Sequence, residues 1–187
     1  MIISNCDGLD VSLRALNQRA ASQFLYGGAA FHELLAALEK TELPAAANSA
    51  VKALELFDEA TRSFSNLAKT LQSTKYRWIG DATRAIDFDD AARTVHLSPD
   101  SDVVQNLNGE LTQGNLHKVF ALFSERIGGL SGELKGFADR ASGVNVILDD
   151  EYRLAHRLLR DWSVMIAEGQ YISSVCLAAA TQKTVTA

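Results

Sequence analysis

The stretch from about Asp10 to Thr41 sets the tightest limit on what this chain can become. Leu13, Leu16, Ala20, Phe24, Phe31, Leu34 and Leu38 recur at three- and four-residue steps, the period of an amphipathic helix and not of a strand. A helix of that length would run about 45 Å, and it cannot bury its apolar side alone. The remaining chain must supply partners of matching length.

Three further stretches can do so. After the short connection Lys40-Thr41-Glu42-Leu43-Pro44, residues 45–73 carry Val51, Leu54, Phe57, Phe64, Leu67 and Leu71 at helical spacing. Pro44 suits a first helical turn, where its missing N–H is harmless, and so short a loop returns the second helix antiparallel to the first. Residues 99–142 repeat the pattern through Leu107, Val119, Phe123, Ile127, Leu134 and Phe137, with Ser98 as cap and Pro99 at the first helical position. Asn108-Gly109 and Gly114 could split a short piece from the front of this third helix. Residues 149–180 open on Asp149-Asp150-Glu151, acids at the positive end of a helix dipole, and continue through Ala155, Leu159, Trp162, Ile166 and Cys176. The expectation is one domain over 1–187, an all-α antiparallel up-down-up-down four-helix bundle.

Gly27-Gly28 interrupts the first stripe, which then resumes in register at Phe31. One continuous helix follows, with the glycines where a neighbouring helix comes close. Gly128-Gly129 sits inside the third helix in the same way. A connector of about 25 residues, from Thr74 to Asp100, breaks the pattern. Tyr76 to Gly80 and Arg93 to Leu97 read as extended, rich in β-branched and aromatic residues. Asp81 to Ala92 between them reads as a short helix capped by Asp81. The connector would be a small hairpin or a short helix laid across the bundle end.

Composition excludes several classes. An apolar share of 47% with two prolines is that of a folded chain. A net charge of -5 argues against broad nucleic-acid or anionic-membrane binding, which need excess Lys and Arg. No continuous apolar run approaches the roughly 20 residues of a membrane span, and Met1 to Asp10 has no basic leader, so no membrane span and a cytoplasmic location are expected. Cys6 and Cys176 are too few for a disulfide framework. They read as free thiols, although the bundle topology would put them at the same end.

Chemistry-bearing constellations are sparse. His32, Glu55, Glu133 and His156 would lie at similar depth on four helices, the way di-metal sites in bundles are built. The Glu-x-x-His pairs of such sites are missing, so boundary histidines and solvated acids are the simpler reading. Arg153, Arg157 and Arg160, with His156, share adjoining parts of one helix face and could grip a small anion, or pair with acids such as Glu125 or Glu133 on the neighbouring helix. Tyr76, Arg77 and Trp78 in the connector could form a contact patch, or Trp78 could plug the core. The Asp87-Phe88-Asp89-Asp90 run lacks the glycine and distant glutamate of a Ca²⁺ loop. There is no nucleophile elbow, phosphate loop or Arg-x4-His pattern, and no cofactor is implied.

One feature points outward. Phe24-Leu25-Tyr26, Leu54 with Leu56-Phe57, Val119-Phe120 and Val164-Met165-Ile166 place adjacent apolar residues that cannot all face one core. A second burial surface would account for them. The expected function is a helical adaptor or regulator, self-associating as a homo-oligomer or holding a protein partner, with an anion-binding sensor and then a metal-dependent enzyme as alternatives.

Overall fold

The computed structural model of the chain describes residues 3–40, 43–141 and 149–185, and the surroundings of side chains over 15–40, 44–140, 149–150 and 152–181. The described chain is all-helical. It forms α1 (Ile3–Glu39), α2 (Leu43–Gln72), α3 (Arg77–Thr83), α4 (Phe88–Thr94), α5 (Asp102–Leu111), α6 (Leu116–Ala141) and α7 (Asp149–Val185).

The four long helices touch in a closed order: α1 on α2, α2 on α6, α6 on α7 and α7 back on α1. Side-chain pairs run in opposite directions along each contact. From α1 to α7, Asn17 Nδ2 donates to the Ser173 carbonyl at 3.1 Å, while Gly28 faces Ile166. From α2 to α6, Ser124 Oγ donates to the Thr61 carbonyl at 2.8 Å and Ser131 Oγ to Asp58 at 3.0 Å. From α6 to α7, Arg126 pairs with Glu168 and Arg157 with Glu133. The short helices α3, α4 and α5 all pack on α7.

The interior is centred on Phe24. Its ring lies 5.2 Å from Trp162, 5.5 Å from Phe123 and 6.0 Å from Phe57. Trp162 stacks flat on Phe57 at 3.4 Å, and both are wholly buried. The glycines expected at a close approach are needed there. A Cβ on Gly27 would stand 2.4 Å from the Phe57 ring, and one on Gly28 would stand 2.7 Å from Ile166. Gly169 plays the same part on α7, 2.9 Å from Phe123. Leu67 and Leu130 are buried in one core cluster, and half-buried Leu159 packs at the edge of that cluster. The surroundings of Leu13 and Cys6 lie outside the described residues, whereas Cys176 is a buried free thiol.

The connector corrects the sequence reading. Tyr76 to Gly80 is not extended but enters α3, and Arg93 and Thr94 end α4 before a turn in which His96 takes φ 59°. No strand or hairpin occurs among the described residues. Ile79 and Thr83, one helical turn apart, are both fully buried, so tertiary packing overrides local β preference. Asp81 lies inside α3; the cap of α4 is Asp87, whose carboxylate accepts from the Asp90 amide at 3.0 Å. Ser98 and Pro99 likewise lie in a turn closed by the Ser101 amide donating to the Ser98 carbonyl at 3.0 Å, and the helix begins at Asp102. The third stripe is divided at Gly114, which takes φ 80° as glycine readily does.

α7 also qualifies the hydropathy reading. Within Tyr152–Thr181 an 18-residue window reaches a mean hydropathy of 1.2, long and apolar enough to cross a membrane. Most of that window is buried inside the fold, as in the core helix of a globular protein.

Candidate functional site: the outer face of α6

The residues singled out in the sequence do not gather into a centre. His32, Glu55, Glu133 and His156 are all exposed, and among the described residues no three His, Cys, Asp or Glu side chains are placed to hold a metal. That quartet is therefore not brought together. Arg153, His156, Arg157 and Arg160 lie exposed along α7. Arg157 donates to Glu133 at 2.6 Å, the pairing with the neighbouring helix considered above, and the His156 ring lies 5.0 Å from that of Tyr152. Tyr76 and Trp78 are half-buried and pack against the core, whereas Arg77 is exposed.

What stands out instead is the solvent side of α6. Gly128, Gly132 and Gly136 follow at four-residue steps, with Gly129 beside them. Unlike Gly27, Gly28 and Gly169, they answer to no close packing partner inside the fold. A Cβ on Gly129 or Gly132 would meet nothing within 4 Å, and on Gly128 or Gly136 only ordinary contacts at 3.7 and 3.5 Å. Each glycine costs about 1 kcal/mol relative to alanine in a helix interior. The internal packing of α6 gives no return for that cost.

Two grooves run beside this bare backbone. One, of about 530 Å³, lies between α2 and α6 and is lined by Val51, Leu54, Asp58, Gly128, Gly132 and Lys135 among others. The other, of about 320 Å³, lies between α6 and α7 and includes Gly129, Leu130, Met165 and Val164. Val51 and Val164, one in each groove, are about half exposed. Glu125, Lys135 and Asp139 are exposed on the same helix. Family models, curated proteins and solved structures offer no match to this chain.

Val164 comes from one of the apolar runs that could not all face inward, as do exposed Leu25 and Tyr26 on α1. Val51 and exposed Leu122 do not. The glycine spacing on α6 is visible in the sequence, but its exposure is not: Gly27-Gly28 looks the same on paper and is buried. Among the described residues, an ion pair with a buried carboxylate joins α6 to α7. Glu168, on α7, is buried and takes both guanidinium nitrogens of Arg126, one of them at 3.2 Å. Nearby, burial pushes the Tyr171 phenol up to about 12, with its hydroxyl hydrogen-bonded to Asn108 on α5.

Proposed function

We propose that the chain is a self-associating helical interaction module, an adaptor or regulator, in which the outer face of α6 meets the same face of a second copy. In this reading the four long helices form an up-down-up-down bundle, and the short helices brace one end of α7. The carrying observation is the pair of grooves beside the exposed α6 backbone, each with a half-exposed valine in its wall.

A surface that self-associates about a two-fold must complement itself in shape and charge. This one offers knobs (Val51 and Val164) and holes (over Gly128 and Gly132) on one patch. Its charges have the required symmetry as well. An antiparallel α6–α6 contact with its two-fold at Leu130 sets Gly128 opposite Gly132 of the second copy and Glu125 opposite Lys135. Small residues let two helix backbones approach closely, and the valines would then fill the grooves alongside. The setting inferred is the cytoplasm, where a free thiol such as Cys176 persists.

Sedimentation equilibrium over a concentration series tests this reading. The native chain should dimerise, and Gly132→Phe should be monomeric and, at dilutions where both chains are monomeric, melt no lower than the native chain, since the added ring enters open space. Glu125→Lys should weaken the dimer, and Glu125→Lys with Lys135→Glu should restore it. A native chain that stays monomeric at every concentration, or a Gly132→Phe chain that still dimerises, overturns the proposal.

A further inference from the structure

The second half of α7 has no side turned to water. Tyr171, Ile172, Ser173, Ser174, Val175 and Cys176 are all buried, and a run of that length passes through more than a full helical turn. Helices α1, α3, α4, α5 and α6 surround it. An amphipathic helix is oriented by its wet side, but one that is buried all round has none. Shape adds little, because Ser173, Ser174, Cys176, Ala178, Ala179 and Ala180 are all small. Burial of apolar area is non-directional, so by itself it would accept several rotations of this helix.

Three polar contacts distinguish those rotations, each toward a different neighbour. The Tyr171 hydroxyl donates to Asn108 Oδ1 on α5. Ser174 Oγ donates to the Ala91 carbonyl on α4 at 2.9 Å, and Asn17 Nδ2 on α1 donates to the Ser173 carbonyl at 3.1 Å. The last contact is made against a penalty. Asn17 Oδ1 and Ser173 Oγ are buried with no hydrogen-bond partner, and an orphaned buried polar atom opposes folding. Buried polar groups retained in spite of such a penalty are best attested as selectors of helix register. We infer that Asn17, Tyr171 and Ser174 are positioning residues that key α7 to one rotational setting, the one that sets Glu168 on Arg126 and Val164 in the wall of the α6 groove. The inference concerns a single copy and is independent of the α6 contact proposed above.

The test reads the indole N–H of Trp162 by NMR, since that ring sits on α7 against Phe24 and Phe57 and its shift changes with any rotation. Spectra are taken on the Gly132→Phe background over a dilution series, so that signals from self-association vary with concentration and signals from rotation do not. Asn17→Leu exchanges the half-satisfied amide for an apolar side chain. It should melt no lower than its parent and split or broaden the indole signal. Tyr171→Phe with Ser174→Ala, which leaves Asn17 in place, should do the same to the signal. Ile172→Val, a loss of core volume that touches none of the three contacts, should melt a few degrees lower with one sharp signal. A role in packing alone predicts the reverse for Asn17→Leu, a lower melting temperature with a single signal. One sharp indole signal in either polar variant, or an Asn17→Leu chain that melts below its parent, overturns the inference.

Discussion

Two substitutions of the same kind should have opposite effects on stability. In Gly27→Ala the new methyl would stand 2.4 Å from the Phe57 ring, whereas ordinary contact begins at 3.4 Å, so something must move by about 1 Å. Phe57 has no room to retreat, because it is wholly buried and stacked on Trp162 at 3.4 Å. Overpacking of this kind costs about 1–3 kcal/mol, set against a helix-propensity gain of about 1 kcal/mol. In Gly132→Ala the methyl enters open space and only the gain of about 1 kcal/mol remains. The propensity terms cancel between the two mid-helix sites, so the difference between the variants is the overpacking term itself, about 1–3 kcal/mol. Urea unfolding, at concentrations low enough to keep the chain monomeric, measures it directly. In thermal unfolding each kcal/mol corresponds to about 2–4 °C for a chain of this size. Gly109→Ala, also in open space, serves as a control away from the proposed contact. A Gly27→Ala chain as stable as Gly132→Ala would refute the helix packing described here.

Other perturbations follow from the same contacts. Burial raises Tyr171 from 10.0 and Cys176 from 9.0, each to about 12, so folding favours their protonated forms. Their contribution is fully present below pH 9 and is lost as pH rises toward 12; urea midpoints should be flat below that window as far as these groups are concerned and fall within it, less steeply in Tyr171→Phe. Glu168→Gln removes a bidentate ion pair whose arginine is half exposed, and should cost about 1 kcal/mol, with a smaller difference from the native chain at high salt. Trp162→Ala removes the wholly buried ring stacked on Phe57 and beside Phe24 and should cost about 3–5 kcal/mol by chemical denaturation.

The period of the apolar residues was enough to define the long helices, because a helix's buried side is a local property of every third and fourth position. Ile127 and Leu134 announce α6, and Phe24 and Phe31 announce α1, before any partner is known. Asn108-Gly109 and Gly114 are both candidates for a break in the stripe over 99–142; Asn108 and Gly109 lie inside α5, and it is Gly114, free to take positive φ, that divides it. The start of the connector was not legible in this way: Tyr76, Trp78 and Ile79 favour a strand, and only burial against the rest of the fold decides that α3 is helical. The ion pair between Arg126 and Glu168 has no local sign either, since its partners lie on different helices. Gly27-Gly28 and Gly128-Gly129 make the distinction plainest. Both pairs are the same two letters inside a helical stripe, yet one is filled by Phe57 and Ile166 and the other stands open, because occupancy of a surface depends on which distant side chains arrive there and not on the residues that form it.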